Sequence, residues 1–212
     1  MSGVDVVPAA VAGVIAIVRL SEPVPDAVLD SVLAGGVRAI EVTANTPGAF
    51  EAVTRWRGRG EAVVGVGTVR TAEDARRAVD AGAQFIVTPT LVPAVLAEAR
   101  QAGLPVVCGA LSPTEIDSAW QQGAAAVKIF PVDVAGGPRY VTALQAPLPD
   151  VSLVPTGGVD PALTQEYASL GCAGVGVGSA LVAADVVSTG AWDVLERRAA
   201  DFARAWSAGG GA

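Results

Sequence analysis

The sequence predicts an α/β fold, a single-domain (β/α)8 TIM barrel that spans residues 1–212. Short β-branched runs alternate about eight times with Ala/Glu/Arg-rich helical patterns, which is typical of parallel βαβ units. Glycine recurs just before several of these runs, where a helix is expected to end in a left-handed cap. An open doubly wound sheet shares this pattern. A run of about eight units in so short a chain favours closure into a small barrel.

Eight short apolar segments are the candidate strands. We predict them over Gly13 to Arg19, Val37 to Val42, Ala62 to Gly67, Gln84 to Thr88, Pro105 to Cys108, Ala125 to Phe130, Val151 to Pro155 and Ala173 to Val177. The glycines expected to end the intervening helices are Gly35, Gly36, Gly82, Gly103, Gly123 and Gly171. No Ser/Pro-rich linker divides the chain, so one domain is expected.

The composition indicates a compact enzyme or an oligomer subunit. Hydrophobic residues make up 51% of the chain and charged residues 17%. The formal net charge of −7 argues against a nucleic-acid partner, because phosphate backbones are bound by clustered basic residues. The arginine-rich residues 55–59 are the one local exception, and we interpret them as a solvated helix end.

Two further features bear on cysteine chemistry and membranes. Cys108 and Cys172 lie within or beside apolar strands, where two reduced structural thiols are expected rather than a disulfide. The apolar stretch from Val6 to Val18 contains Pro8, lacks a basic leading region and is too short to span a bilayer. We interpret this stretch as core-forming sequence and expect no membrane partner.

Lys128 is the only lysine among the 14 basic residues of the chain. It lies in the apolar run 124–131, where an unpaired ammonium is costly or loses its proton. The neutral amine is a nucleophile that forms Schiff bases with carbonyl substrates. A coding bias towards arginine explains the other basic positions but not a lysine within a hydrophobic strand. With a side-chain period of two, Ala126, Lys128 and Phe130 share the face expected to look into the barrel.

Glu41 is the candidate for acid–base chemistry. The chain contains no histidine, and the active site of such a barrel lies at the carboxyl ends of the strands, where the predicted strand two carries this residue. Desolvation favours the protonated form of a carboxyl and so suits it to proton transfer. A structural ion pair with Lys128 is the alternative, and the two roles are compatible.

Thr68 and Arg19 are candidates for binding an anionic group. Thr68 follows the predicted strand three and is expected either to bind a substrate carboxylate or to cap the helix that begins near Thr71. Arg19 ends the predicted strand one. It is expected to bind a carboxylate or phosphate, with a surface salt bridge as the alternative.

Two glycine-rich segments follow the predicted strands seven and eight. The first contains Thr156, Gly157 and Gly158, and the second contains Gly178 and Ser179. Loops at these two barrel positions commonly bind phosphate, because glycines admit close approach of backbone N–H groups and a helix N-terminus lies nearby. A tight turn before a helix that starts at residues 160–161 accounts only for the first segment.

Four segments resemble signatures of the 2-keto-3-deoxy-6-phosphogluconate (KDPG) / 4-hydroxy-2-oxoglutarate aldolase family. They are EVT at 41–43, GVGTV at 65–69, VKIFP at 127–131 and PTGG at 155–158. The resemblance covers essentially the whole chain. It implies a cytoplasmic class I aldolase, a homotrimer of (β/α)8 barrels without metal or organic cofactor. The implied reaction is the Entner–Doudoroff cleavage of a phosphorylated 2-keto-3-deoxy sugar acid to pyruvate and glyceraldehyde 3-phosphate.

The resemblance also implies roles for individual residues. Lys128 would be the Schiff-base residue and Glu41 the proton shuttle. The residues that would bind the rest of the substrate are Arg19, Asn45, Thr68, Thr88, Pro89 and Phe130. Those that would bind the phosphate are Thr156, Gly157, Gly158, Gly178 and Ser179.

Asn45 departs from the gluconate-type pattern, which has arginine four residues after the glutamate. The run TANTP at 43–47 looks closer to the 6-phosphogalactonate branch, which has asparagine there and an arginine on strand one, as Arg19 is here. PTGG points back to the gluconate branch. The C4 epimer and activity on 4-hydroxy-2-oxoglutarate are therefore left open.

Two other function classes are compatible with the residues. One is a phosphate-binding barrel isomerase or epimerase in which Lys128 acts only as an acid or electrostatic stabiliser. The other is a non-catalytic sugar-phosphate-binding barrel, since a fold and a phosphate site do not establish chemistry. Borohydride trapping tests the first alternative, and release of pyruvate tests the second.

Overall fold

A computed structural model describes residues 12–211, and its centre is a sheet of parallel strands. The strands are β1 (Gly13–Val18), β2 (Ala39–Thr43), β3 (Val63–Gly67), β4 (Ile86–Val87), β5 (Val106–Ala110), β6 (Ala126–Ile129), β7 (Leu153–Pro155) and β8 (Gly174–Val177). Hydrogen-bonded neighbours follow the order β7-β6-β5-β4-β3-β2-β1-β8. A parallel bridge between Thr156 and Gly176 joins the two outer strands. The predicted (β/α)8 barrel is confirmed.

Helices follow the strands and cover the barrel. They are α1 (Asp26–Ala34), α2 (Ala49–Trp56), α3 (Ala72–Asp80), α4 (Pro93–Gln101), α5 (Pro113–Gln121), α6 (Val132–Ala135), α7 (Pro138–Gln145), α8 (Pro161–Ser169), α9 (Ala184–Ser188) and α10 (Trp192–Ala208). Ser112 and Glu115 form a capping box at the start of α5. The short helices α6 and α9 follow β6 and β8 at the end of the barrel where the pocket opens.

All eight predicted strands are present, with shifted ends. Strand β4 is only two residues long because Pro89, just beyond it, has no N–H to donate to a ladder. Strand β5 runs past its predicted end to Ala110, since Gly109 pairs with Lys128 rather than turning the chain. A Cβ on Gly109 would overlap the carbonyl group of Pro89. This glycine therefore permits close packing inside the barrel.

Most of the predicted helix-end glycines adopt the left-handed conformation. Their φ angles lie between 68° and 89°, at Gly36, Gly82, Gly103, Gly123 and Gly171. Gly35 is different, with a φ of −76°. A Cβ there would overlap Ala199 and the Glu196 carbonyl, so Gly35 is needed where α1 packs against α10.

The core has two layers, as strand alternation requires. The inner cluster fills the barrel and consists of Ile15, Ala39, Phe85, Val87, Val107, Ala126 and Val154. Val127 and Ile129 belong to the outer layer between sheet and helices. The prediction that Ala126 and Lys128 face the interior is therefore confirmed.

The structure also bears on the two cysteines, on the first apolar stretch and on membrane-spanning helices. Cys108 and Cys172 are free and buried, as expected, and burial raises the pKa of Cys172 to about 12. Within the stretch Val6 to Val18, residues 13–18 form the buried strand β1, while residues 6–11 lie outside the described residues. No helix in the part from 12 to 211 is long and apolar enough to cross a membrane.

The interpretation of residues 55–59 as a solvated helix end is correct for its arginines and wrong for Trp56. Helix α2 ends at Trp56, which is fully buried and donates its indole N–H to Asp26 at 2.8 Å. Arg55 and Arg59 lie outside and form ion pairs with the same carboxylate. The hydrogen bond from Trp56 and these arginines hold the pKa of Asp26 below its usual value. The indole is buried because it anchors α2 to the start of α1.

Candidate active site

A pocket of about 490 Å³ opens at the carboxyl ends of the strands. Its wall includes many of the predicted site residues, namely Arg19, Lys128, Phe130, Thr156, Gly157, Gly158, Gly178 and Ser179. These residues come from β1, from β6 and from the segments that follow β6, β7 and β8. The barrel thus brings together residues that are as much as 160 positions apart in the sequence.

Lys128 projects from β6 into this pocket. Lys128 is only 6% exposed. Its Nζ lies 5.2 Å from the centroid of the ring of Phe130, which is on the same face of the strand. Among residues 12–211, no carboxylate oxygen lies within the 4.0 Å ion-pair distance of Nζ. The alternative of a Glu41–Lys128 ion pair is therefore wrong. A buried amine without a counter-ion, in contact with the pocket, is suited to attack a carbonyl carbon.

Glu41 lies on β2, paired with Ile17 of β1 and Gly65 of β3. The residue is 1% exposed, and its carboxylate occupies the space beside Gly67, where any Cβ would overlap it. Its Oε1 atom is buried and has no hydrogen-bond partner among the described residues. Buried polar atoms are normally satisfied, so this oxygen is available to accept a hydrogen bond from a bound molecule.

Arg19 and Thr68 meet at the rim of the pocket. The Arg19 guanidinium donates to the Thr68 hydroxyl at 3.1 Å, and no ion pair of Arg19 is formed within the part of the chain from 12 to 211. The salt-bridge alternative for Arg19 is therefore wrong. Thr68 has a φ of 56°, a strained value for a non-glycine residue. The capping alternative is also wrong, because Thr71 caps α3 by accepting from the Asp74 N–H at 3.0 Å.

Four of the predicted substrate-binding residues are not part of the pocket wall, namely Asn45, Thr68, Thr88 and Pro89. Asn45 is exposed on the turn after β2. Thr88 is fully buried, and its hydroxyl accepts a hydrogen bond from the Gly109 N–H at 3.1 Å. The hydroxyl also contacts the thiol of Cys108, and burial raises the pKa of that thiol. Since Val87 faces the barrel interior, alternation turns Thr88 away from it. Pro89 packs its carbonyl against Gly109. The prediction that Thr88 binds substrate is not supported by its orientation.

The loop after β7 presents backbone to the pocket. Gly157 and Gly158 have φ angles of 108° and 64°, and the Asp133 side chain packs behind both. Thr156 is buried and donates its hydroxyl to the Val154 carbonyl at 3.3 Å. The conformation of this loop therefore requires glycine at both positions.

A helix was also predicted to start at residues 160–161, and this is confirmed. Asp160 caps α8 by accepting the Leu163 N–H at 2.8 Å. One backbone N–H group in the first turn of α8 is thus already hydrogen-bonded to the Asp160 carboxylate. In the neighbouring segment after β8, Gly178 accepts from the N–H groups of Leu181 and Val182 at 2.9 Å, and Ser179 is exposed beside it.

Other pocket residues escaped the sequence reasoning. They are Ile17, Val159, Asp160, Gly176, Ala180, Val182 and Ala184. Ile17 and Gly176 lie two residues before Arg19 and Gly178, so the strand period applied backwards from those candidates would have found them. Ala180, Val182 and Ala184 gave no comparable signal, because the first two lie in an irregular segment and the third begins the short helix α9.

Comparison with known proteins decides the family. Residues 5–198 match the model of the KDPG and KHG aldolase family. The chain belongs to this family. A 2-dehydro-3-deoxy-phosphogluconate aldolase of Treponema pallidum is 38% identical over 166 residues, 76% of this chain and 78% of the relative. The KHG/KDPG aldolase of Escherichia coli is 34% identical over 190 residues, 88% of this chain and 87% of the relative.

Solved structures agree with the fold and the family. A structure described as "Native KDPGal structure" is 32% identical, with a TM-score of 0.84 over 92% of this chain and 95% of that chain. KDPG aldolase from Legionella pneumophila, with pyruvate captured as a covalent carbinolamine intermediate, is 26% identical, with a TM-score of 0.82 over 92% of this chain and 95% of that chain. The protein is therefore an aldolase, and the isomerase and non-catalytic alternatives have no support among these relatives.

Proposed function

We propose that this aldolase cleaves 2-keto-3-deoxy-6-phosphogluconate to pyruvate and glyceraldehyde 3-phosphate through a Schiff base on Lys128. The observation that carries the proposal is the Lys128 amine, buried on β6, unpaired with any carboxylate among residues 12–211 and facing the pocket. The Legionella relative, which holds pyruvate as a covalent carbinolamine, supports the same chemistry. The carboxyl-end position of the pocket is where barrel enzymes react.

The reaction divides into steps that the two catalytic candidates can perform. The Lys128 amine adds to the C2 ketone, and loss of water gives an iminium. The iminium accepts the electron pair of the C3–C4 bond as that bond breaks, while Glu41 takes the proton of the C4 hydroxyl, directly or through water. Protonation of the pyruvate enamine at C3 and hydrolysis of the imine release pyruvate and restore the amine. Covalent catalysis thus replaces one difficult carbanion step with easier ones.

The remaining pocket residues orient the substrate. Arg19 binds the C1 carboxylate together with Thr68, since a guanidinium offers paired donors to a carboxylate. The phosphate is bound at the other side by backbone N–H groups of Gly157 and Gly158 and by Gly178 and Ser179, with Thr156 supporting the loop. Phe130 packs beside the reacting amine.

Cleavage of the galactonate epimer is the second candidate. Arg19 lines the pocket whereas Asn45 lies on an exposed turn outside its wall, which fits the galactonate-type arrangement of these two positions. The structural neighbour described as KDPGal has a TM-score of 0.84. The gluconate epimer is preferred here because the Treponema pallidum relative, at 38% identity, is named for it.

The experiment that tests the proposal measures pyruvate release from both epimers under identical conditions, with 4-hydroxy-2-oxoglutarate as a third substrate. We expect kcat/KM for the gluconate substrate to exceed that for the galactonate substrate by about tenfold or more. The reverse order would assign the enzyme to the galactonate branch. Absence of pyruvate from all three substrates would contradict the proposed reaction.

We also infer from the family that the protein is a single-domain homotrimer located in the cytoplasm, where it serves the Entner–Doudoroff route. Light scattering coupled to size-exclusion chromatography measures the mass of the assembly. Three times the 21.1 kDa of the chain is the expected value.

A further inference from the structure

A pair of buried threonines links the ends of strands β1 and β2. Thr43 and Thr46 are 0% and 3% exposed, and their hydroxyl oxygens lie 3.0 Å apart. The Thr46 hydroxyl oxygen also accepts the backbone N–H of Leu20 at 3.2 Å. The Thr46 N–H donates to the Thr43 carbonyl at 2.8 Å and closes a tight turn. The network therefore connects the turn after β2 to the segment that follows β1.

The hydrogen bond to Thr46 holds the backbone of Leu20, the residue next to Arg19. Strand β1 ends at Val18, and the chain from 19 to 25 is irregular until α1 begins at Asp26. Leu20 is therefore attached to the neighbouring loop by the Thr46 hydroxyl just where the Arg19 side chain departs. The guanidinium of Arg19 ends 3.1 Å from the Thr68 hydroxyl. Its position depends on where the backbone of residues 19–20 is held.

We propose that Thr46 is a positioning residue for carboxylate recognition and acts through Arg19. Its hydroxyl fixes the backbone at Leu20 and thereby holds the guanidinium over Thr68 at the pocket rim. The proposal rests on the role of Arg19 given under the proposed function. It assigns a function to a buried hydroxyl that lies outside the pocket wall.

A double-mutant cycle tests this inference. Thr46→Val keeps the shape of the side chain and removes the acceptor for the Leu20 N–H. We expect it to weaken pyruvate binding, measured by the pyruvate concentration that gives half-maximal borohydride inactivation, by about fivefold, with kcat changed by less than about twofold. Thr46→Ser should restore binding to within about twofold. In an Arg19→Ala background, Thr46→Val should add almost nothing.

Thr43→Val is the matched control. It makes the same change of shape at an equally buried position but leaves Thr46 able to accept from Leu20. We expect it to weaken pyruvate binding by less than about twofold. Should Thr46→Val fail to fold, as judged by circular dichroism and melting temperature, Thr46→Cys supplies a weaker acceptor of similar size and must show the same coupling to Arg19.

Two outcomes would overturn the inference. One is an equal loss of pyruvate affinity from Thr46→Val in the wild-type and Arg19→Ala backgrounds, which would mean that Thr46 acts through the fold as a whole. The other is wild-type affinity in Thr46→Val. Failure of the proposed function is recognised separately, because the wild-type enzyme would then neither release pyruvate nor be trapped by it.

Discussion

The two ends of the pocket are built in different ways. At one end, which we call the reaction end, Lys128 projects from β6 into the pocket, and Glu41 is buried on β2 without being part of the pocket wall. At the other, which we call the loop end, the turns 156–158 and 178–179 present main chain. The proposed catalytic side chains thus lie on strands, whereas the proposed phosphate-binding segments are loops. Changes at the reaction end should affect turnover, and changes at the loop end should affect recognition.

Glycines at the two ends show the same contrast. Gly67 and Gly109 are needed because neighbouring groups, the Glu41 carboxylate and the Pro89 carbonyl, occupy the space a Cβ would take. Gly157 and Gly158 are needed because their φ angles are positive. A side chain is therefore excluded by lack of space at the reaction end, and by both lack of space and backbone conformation at the loop end.

The largest effect is expected at Lys128. Lys128→Met removes the amine and nearly keeps the volume, so turnover should fall by about 10³-fold or more. Stability should be unchanged or higher, because an apolar side chain replaces a buried polar group that has no carboxylate partner among residues 12–211. Steady-state pyruvate release and thermal unfolding measure the two effects. Substantial turnover by this variant would mean that Lys128 acts only electrostatically.

Glu41→Gln tests the second residue of the reaction end. The amide preserves the packing beside Gly67 but cannot take the C4 hydroxyl proton, so we expect turnover to fall by roughly 10²-fold or more. Imine formation with pyruvate should persist, and borohydride inactivation measures it independently of cleavage. Turnover close to wild type would assign Glu41 a structural role.

Gly158→Val tests the loop end. At a φ of 64° a Cβ is strained and would lie 2.9 Å from the Asp133 Cβ, so the loop must move. We expect kcat/KM for the phosphorylated substrate to fall by about tenfold or more while trapping of pyruvate, which has no phosphate, changes by less than about twofold. Kinetics with the phosphorylated sugar acid, beside borohydride inactivation with pyruvate, measure the two effects.

Gly171→Val is the matched control for the loop end. It has a φ of 74° with open space around it and lies away from the pocket, so it should cost stability without changing kcat/KM. Equal losses of cleavage and pyruvate trapping in Gly158→Val would show that the loop does not act on the phosphate alone.

The smallest effects are expected at the rim. Arg19→Ala should weaken pyruvate binding by about tenfold, because a guanidinium binds a carboxylate with paired, charge-assisted hydrogen bonds. Asn45→Ala should have an effect of less than about twofold, since its side chain lies outside the pocket wall. The pyruvate concentration for half-maximal trapping gives both values. Small and equal effects would leave the carboxylate to Thr68 and backbone amides.

The fold was predictable because strands and helices carry local signals. Every strand was found from its β-branched run, and the period of two placed Lys128 on the inner face. The same period turns Thr88 away from the barrel interior, because the neighbouring Val87 faces inward. Helix α3 is capped by Thr71 and not by Thr68, because of the conformation of the turn before it. The sequence alone did not reveal that conformation.

Other parts of the site depend on contacts between distant segments. The bridge from Thr156 to Gly176 closes the barrel, and nothing in either segment signals its partner. The hydrogen bond between Arg19 and Thr68 joins residues 49 positions apart. The hydrogen bond from the Leu20 N–H to the Thr46 hydroxyl also joins distant segments. A threonine in a turn commonly bonds its own local backbone, so the sequence does not indicate this longer-range bond. Tertiary pairings of this kind follow from the assembled barrel.

The most direct test of the central claim is borohydride reduction of the wild-type enzyme in the presence of pyruvate. We expect irreversible inactivation and one reduced pyruvyl group on Lys128, located by peptide mapping. Because Lys128 is the only lysine, the N-terminal amine is the only competing aliphatic amine, and the assignment is unambiguous. An unmodified Lys128 peptide under these conditions, from enzyme that still cleaves its substrate, would contradict the Schiff-base mechanism.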